Sequence, residues 1–248
     1  MVSKISKLRS VLAEKGLSAY LVPKNDEYMS TTLPSSRDRL KHLTGFSGSN
    51  GYTVVFADQD RKPSFVTDSR YDIQAFKEID DEVFDISTKS TPLSQVIKNN
   101  QQEDHKFVLG LDANLFPKSQ VDALKAISDV EVKVNLDSSP LIDQALQLDL
   151  NQDATSSADY FIHDHTFCGV DAASKIQKVA EKLNKDHKAQ SLYVNMLEEI
   201  SWLLNVKATG IHEFDPIFNA SLLLRTSEAT IQVDLFVEDS HASNDIFN

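Results

Sequence analysis

The sequence predicts an α/β protein made of two units. Three observations carry that reading. From residue 17 to residue 146, six short apolar runs alternate with segments of helical period; residues 149–160 lose periodicity; and the helix-then-strand opening of the chain is echoed at 174–199.

In order, the first element is an amphipathic helix: Ile5, Leu8 and Leu12 share one face and Gly16 stands at the C-cap. Its lysines and Arg9 give it the look of a targeting segment, but it has no continuous apolar stretch of the kind a signal needs. The runs "LSAYLV" (17–22), "GYTVVF" (51–56), "SFVT" (64–67), "EVFDI" (82–86), "KFVLGL" (106–111) and "VEVKV" (130–134) read as strands of a mixed or mostly parallel sheet. Between several of them, 70–79, 92–99, 117–127 and 139–147 have helix periodicity, with Pro92, Pro117 and Pro140 at three of the starts. At the fourth, Ser69 and Asp72 stand in the S-x-x-D relation of a capping box, and Ile73, Phe76 and Ile79 continue the apolar stripe.

Residues 149–160, "DLNQDATSSADY", fill with Asp, Asn, Ser and Thr and read as a linker between a first domain at 1–148 and a second at 161–248. The second opens with "SKIQKVAEKLNKDHKAQSLYVNMLEE" (174–199), an echo of "SKLRSVLAEKGLSAYLVPKNDE" (6–27), which points to two copies of one fold. A helix at 170–184, a strand at 190–194, a helix at 196–205 and strands at 219–224 and 230–237 make only about half the elements of the first copy. The second copy therefore reads as truncated, and the expectation is the front portion of a longer protein.

Composition narrows the function. The net charge of −12 is spread along the chain, and no stripe of Lys and Arg is present to track a phosphate backbone, which argues against nucleic acid. No stretch approaches the roughly 18 apolar residues a membrane span needs. Cys168 is the only cysteine, so no disulfide can close within the chain, and the expected compartment is the reducing cytoplasm.

Gly45, Gly48 and Gly51 in "GFSGSNG" are spaced G-x-x-G-x-x-G and lead into a strand. The dinucleotide fingerprint is G-x-G-x-x-G and follows a strand, so a tight turn beside a sheet fits better than a cofactor loop. His163, Asp164 and His165 have ligand-type side chains, and Cys168 with His165 nearby invites a nucleophile reading. Neither has the partner motif or rigid frame such chemistry needs, and no metal site is expected in the chain. In "EEISWLLNVKATGIHEFDPIF", which contains Trp202, Asn195 with Glu198 forms an N-x-x-E cap for the helix carrying Ile200, Leu203 and Leu204. The aromatic loop from Phe214 to Phe218 is open to two readings, facing a partner or closing the core.

Arg70 is the residue that helix physics does not request. It sits on a first turn, where the unpaired amides carry partial positive charge. It either forms a local ion pair with Asp68 or Asp72, or presents its guanidinium outward to grip a carboxylate or peptide group bidentately.

Taken together, "RLKHLTGFSGSNGYTVV", "FVTDSRYDIQA" and "LEEISWLLNVKATGIHEFDPIF" resemble the amino-terminal half of the long, three-domain form of aminopeptidase P, the Xaa-Pro aminopeptidases of the creatinase and methionine-aminopeptidase superfamily. The resemblance runs from about residue 5 to residue 237. It implies two creatinase-amino-terminal-like α/β domains ahead of a carboxy-terminal catalytic domain, which alone binds two divalent metals, usually manganese. The implied chain is therefore noncatalytic and inactive by itself. It belongs to a cytoplasmic, homodimeric enzyme that removes the first residue from peptides with proline in second position, and it contributes to gating of substrate. The family's "TDGRY" arginine, a substrate-binding residue, corresponds to Arg70, with Ser69 where the family often has glycine. Two other identities are open: a stand-alone creatinase-like module that binds a protein partner without catalysis, and a creatinase or prolidase relative, which the two-domain arrangement argues against.

Overall fold

The computed structural model describes residues 2–100, 106–150, 159–212, 215–227 and 230–237. The chain divides into two compact units, Met1–Glu27 with Ser35–Leu150, and Tyr28–Pro34 with Asn151–Asn248. The short segment Tyr28–Pro34 is thus grouped with a unit from which it is distant in sequence, which contiguous domains at 1–148 and 161–248 do not anticipate.

In the first unit, α1 (Val2–Glu14) leads into β1 (Ala19–Pro23), α2 (Arg39–Thr44), β2 (Tyr52–Phe56), β3 (Ser64–Val66), α3 (Asp72–Glu78) and β4 (Asp85–Ser87). Then come α4 (Leu93–Asn100), β5 (Phe107–Asp112), α5 (Lys118–Lys125), β6 (Val130–Asn135) and α6 (Leu141–Leu146). The six expected strands form one mixed sheet in the order β4-β3-β2-β1-β5-β6. β1 is its centre, antiparallel to β2 and parallel to β5. Every residue of β1 is buried, because both faces are covered. Tyr20 and Val22 face a layer built from α1, α2 and α6, while Ala19 and Leu21 face α4 and α5. The helix periods are borne out: Ile5, Leu8 and Leu12 are buried, and Gly16 turns the chain after α1 at φ +62°. One strand is displaced, since "EVFDI" begins in a turn and pairs only from Asp85.

Two buried polar clusters tie these layers together. Arg39, at the start of α2 and with no exposed side chain, donates through Nε and Nη2 to the two carboxylate oxygens of Asp143 on α6, each at 2.7 Å. Nη2 also reaches Glu27 Oε1 at 2.5 Å, and Arg37 holds the other Glu27 oxygen at 2.9 Å. In the second cluster, Asp112 at the end of β5 accepts the hydroxyl of fully buried Tyr20, the amide of Asn135 at 2.7 Å and the backbone N–H of Leu141 at 3.1 Å. Pro140 occupies the N-cap of α6 and offers no side-chain cap, so Asp112 supplies one from another element. Burial pushes the Asp112 carboxyl above the ordinary carboxylate range, against the hydrogen bonds from Tyr20 and Asn135.

The second unit contains β7 (Asp159–Ile162), α7 (His165–Cys168), α8 (Ala172–His187), β8 (Ser191–Val194), α9 (Leu197–Leu204), β9 (Val206–Thr209), β10 (Ala220–Thr226) and β11 (Ile231–Val237). β11, β10 and β8 form an antiparallel sheet in that order, and β7 pairs with β9. Ala180 and Leu183 of α8, Ile200 and Leu203 of α9 and Leu222 and Leu224 of β10 make its core. The expected helices and later strands are present. β7 and β9 are additions, and β7 corrects the linker reading at its end, because Asp159 and Tyr160 are strand residues paired with Thr209 and Ala208. Residues 151–158 of the expected linker lie outside the described residues. The anticipated Asn195 cap is also corrected: Met196 takes the N-cap of α9, with no side-chain cap hydrogen bond.

Two outcomes follow. Arg39→Met strands Asp143 as a buried carboxylate and leaves half-buried Glu27 with Arg37 alone, and is expected to destabilise the first unit by about 3–5 kcal/mol in urea unfolding. Burial raises the Glu27 pKa, but the charge and hydrogen bonds of Arg39, with the charge of Arg37, outweigh it and leave the group below its ordinary value. A carboxyl lowered in the folded state adds stability above its unfolded pKa of about 4.3, and that stability is lost as pH falls through the lower folded value. Urea midpoints measured between neutral and acid pH are therefore expected to fall less steeply in Glu27→Gln than in the unsubstituted chain.

Candidate functional site around Arg70

β3 ends at Val66, and the chain stays extended through Asp68 (φ −102°, ψ 170°) before a single 3-10 turn, Ser69–Tyr71, opens α3. Asp68, not Ser69, is the cap: its Oδ1 accepts the Arg70 backbone N–H at 3.0 Å. Asp72 does not return to close a capping box; it accepts the Thr88 hydroxyl at 2.6 Å. The reason is geometric. The sharp exit from β3 places Asp68 two residues before Arg70 in extended backbone, the relation in which an aspartate side chain reaches forward to an amide.

Asp68 does more than cap. Its two oxygens accept Nε and Nη2 of Arg70, both at 2.8 Å, and Oδ2 also accepts the Asn50 amide at 2.7 Å. The Asp68–Arg70 ion pair anticipated as one reading is formed, while the Arg70 side chain is 67 % exposed and its Nη1 edge has no partner among the described residues. The guanidinium carbon lies 5.3 Å from the centre of the Tyr71 ring. Hydrogen bonds from Arg70, then Asn50, hold the Asp68 carboxyl well below the usual carboxylate range, and the same pairing raises Arg70. Arg70 is thus a fixed, permanently charged group with one fork edge committed and the other facing water.

The glycine turn expected at 45–51 is the frame for this arrangement. Gly45 caps α2 in the left-handed region at φ +84°, and a Cβ at Gly48 would overlap the rings of buried Phe46 and of Tyr71. The Ser49 hydroxyl lies 2.7 Å from Tyr71 Oη, and Ser47 binds Glu78 through both its backbone N–H and its hydroxyl. Thr67, buried beneath, donates to the Asn50 carbonyl at 2.5 Å. Sequence reading missed Ser47, Ser49 and Asn50. The available signal was that a turn made of Gly, Ser and Asn carries hydrogen-bonding groups for a neighbour as well as conformational freedom.

The apolar stripe of α3 is corrected. Ala75 and Ile79 are buried, but Ile73 is 72 % and Phe76 55 % exposed, on the face that continues from Arg70 at steps of three residues.

The other sequence candidates are not brought together with Arg70. Asp164 caps α7 by accepting the Thr166 N–H at 2.7 Å, the His163 ring stacks on Phe167, and the Cys168 thiol lies 3.2 Å from the His163 carbonyl oxygen. These residues belong to an ordered turn and short helix. Trp202 is exposed and carries the Lys175 ammonium 4.5 Å from its ring centre. In the aromatic loop, Ile217 and Phe218 are buried, which is the core-closing reading; Phe214 lies outside the described residues. Among the described residues, no three His, Cys, Asp or Glu side chains converge to hold a metal ion, and no helix is long and apolar enough to cross a membrane.

Comparison with known proteins gives this geometry a context. Residues 4–145 match the sequence pattern described as creatinase/prolidase N-terminal domain, and residues 151–247 match a second pattern of the same description. Xaa-Pro aminopeptidase 1 of Dictyostelium discoideum is 27 % identical over 241 residues, covering 93 % of this chain and 37 % of that protein. A probable Xaa-Pro aminopeptidase P of Podospora anserina is 29 % identical over 239 residues, covering 94 % and 34 %. The crystal structure of X-prolyl aminopeptidase from Caenorhabditis elegans, described as a cytosolic enzyme with a di-nuclear active site, superposes with a TM-score of 0.83 at 23 % identity, over 99 % of this chain and 40 % of that one. The chain spans little more than a third of the length of these relatives. With one creatinase/prolidase N-terminal pattern matched across most of its first unit and another across most of its second, the chain belongs to the creatinase/prolidase N-terminal domain family.

Proposed function

We propose that this chain is the noncatalytic amino-terminal region of a metal-dependent Xaa-Pro aminopeptidase, an enzyme that releases the first residue from peptides with proline in second position. The observation that carries the reading is the succession of two creatinase/prolidase N-terminal units over a length that covers 37 % of a named Xaa-Pro aminopeptidase. The di-nuclear centre named for the Caenorhabditis elegans enzyme does not fit the described residues, since their histidines and acids are dispersed or committed as caps and ion pairs. No step through a metal is therefore assigned to this chain. In this reading the two metals, manganese in the family resemblance, belong to the catalytic part of the enzyme, which works as a cytoplasmic homodimer.

Within that scheme Arg70 is the substrate-binding residue. Its committed edge is locked by Asp68 on a helix start braced by Ser49 and Asn50, so little side-chain entropy remains to be lost when the open edge receives a carboxylate or a peptide carbonyl. Ile73 and Phe76 extend an apolar wall away from the charge, suited to the body of a short peptide. The same exposed pair also suits the second reading, a module that binds a protein partner and has no catalysis of its own. The coding sequence downstream of Asn248 separates the two, because only the peptidase reading requires a catalytic segment there.

In the full-length protein, Arg70→Ala is expected to lower kcat/KM for Xaa-Pro peptides by about tenfold or more, with Arg70→Lys recovering only part, because a lysine cannot keep one edge on Asp68 and offer another. The isolated chain is expected to release no residue from an Xaa-Pro peptide with added manganese; chromatographic assay of the products checks both outcomes.

A further inference from the structure

The sequence contains one asparagine followed by glycine, Asn50–Gly51, and the structure places that pair at the brace of Asp68. An asparagine is chemically labile when the backbone nitrogen of the next residue can reach its side-chain carbonyl carbon. Glycine, with no Cβ to hinder the approach, is the neighbour that allows this most readily. The fold nevertheless requires glycine at 51. Its φ is +157°, and a Cβ there would lie 2.9 Å from the Val66 carbonyl oxygen. Asparagine at 50 serves the fold for a different reason, since its side chain donates to Asp68 and its backbone carbonyl accepts Thr67. Two structural demands thus meet in one reactive dipeptide.

Three features leave the reaction open in the folded chain. Asn50 is exposed, and among the described residues a single hydrogen bond, Nδ2 to Asp68 at 2.7 Å, holds its side chain; a bond of this kind exchanges with water. The Gly51 N–H donates to no partner among the described residues, so no backbone bond has to break before its nitrogen attacks. The carbonyl of the same peptide unit accepts the hydroxyl of buried Thr67 at 2.5 Å. A donor on that oxygen draws electrons away from the nitrogen, which makes the Gly51 N–H easier to deprotonate.

We propose that Asn50 is a site of spontaneous deamidation in the folded protein, and that its conversion releases the brace on Asp68 and Arg70. The Gly51 nitrogen gives its proton to hydroxide and attacks Asn50 Cγ. The new N–Cγ bond closes a five-membered succinimide as the Cγ–Nδ2 bond breaks, and Nδ2 takes a proton from water and leaves as ammonia. Water then opens the ring at either carbonyl, leaving aspartate or isoaspartate at 50. Aspartate sets a carboxylate against Asp68 where a donor stood, at a separation where like charges repel. Isoaspartate also lengthens the backbone by one methylene just ahead of β2, where Thr67 and Lys24 hold the chain. Either product removes the Asn50 hydrogen bond that, after the side-chain bonds from Arg70, keeps the Asp68 carboxyl low, and the Arg70 fork moves with its partner. The chemistry stands apart from the aminopeptidase reading; under that reading the converted molecules hold substrate less well.

The test is to incubate the folded 248-residue chain at neutral and at mildly alkaline pH and to follow its asparagines by mass spectrometry of proteolytic peptides. Asn50 is expected to convert ahead of every other asparagine, faster at the higher pH, to a mixture of aspartate and isoaspartate, the latter detected by methylation with an isoaspartyl methyltransferase. In NMR spectra of the converted chain, the Arg70 side chain N–H and the Ser49 amide are expected to be displaced, and Asn50→Asp, one of the two products, to show the same displacement. Asn50→Gln, whose longer side chain would have to close a six-membered ring, is expected to keep its amide over the same period. The proposal is overturned if Asn50 keeps its amide in the folded chain and loses it only in urea, if another asparagine converts first, or if the Arg70 signal stays in place in the converted chain. None of these readouts uses peptidase activity, so their failure is distinct from failure of the aminopeptidase reading.

Discussion

The buried guanidinium of Arg39 is the interaction on which the first unit depends. A charge with no solvent contact is tolerable only when it is fully paired, and here Asp143 and Glu27 supply four hydrogen bonds from two segments remote in sequence. That pairing sets the place of α2 against α6 and against the chain leaving β1. Because α2 ends in Gly45, it also sets the turn that follows. Phe46, the first residue of that turn to enter the core, packs edge-on against Phe65 at 4.9 Å and Tyr71 at 5.5 Å. Ser47, Ser49 and Asn50 then brace α3 and Asp68. The position of Arg70 is in this sense inherited from Arg39 through one short helix and one glycine turn.

The electrostatics of Arg70 follow from that brace. An arginine free in water has full charge but many conformations; one paired with Asp68 gives up part of its field to gain direction. Its side chain remains largely exposed, so the field of the pair is screened and the contribution to stability is small. What the pair supplies is geometry, a guanidinium plane held in one orientation beside two exposed apolar side chains. That suits recognition of a group with its own apolar body better than simple attraction of an anion.

Much of the fold was legible because hydrophobic period is a local property. The doubly covered β1 shows as the continuous run "AYLVP", and the α1 stripe of Ile5, Leu8 and Leu12 needed no tertiary information. The failures came where period says what an element is but not what covers it. Ile73 and Phe76 have helix spacing and lie on the uncovered side, while Ala75 and Ile79 meet the core. The cap of the 3-10 turn that opens α3 was assigned one residue late because strand geometry before the turn favours Asp68. Arg39 was invisible for a further reason. In "SSRDRLKHL" it reads as one cation among several on a solvated helix, and its partner Asp143 is 104 residues away. The one local hint was Asp143 itself, an acid beside Leu141 and Ile142 on the buried side of α6. Arg70 stood out in the sequence as a cation on a first turn, and its ion pair with Asp68, one of the two readings, is formed; the braces from Ser49 and Asn50 required the structure.

The central claim is that the buried clamp positions the exposed arginine. Its most direct test is the NMR spectrum of Asp143→Asn, a mild lesion far from Arg70 that keeps the volume of the side chain and removes one carboxylate from Arg39. The account predicts that the Arg70 side chain N–H and the amides of Ser47, Ser49 and Arg70 shift, while amides of α4 and α5 on the opposite face of the sheet stay in place. A folded Asp143→Asn protein in which the Arg70 and Ser49 signals are unmoved would contradict it.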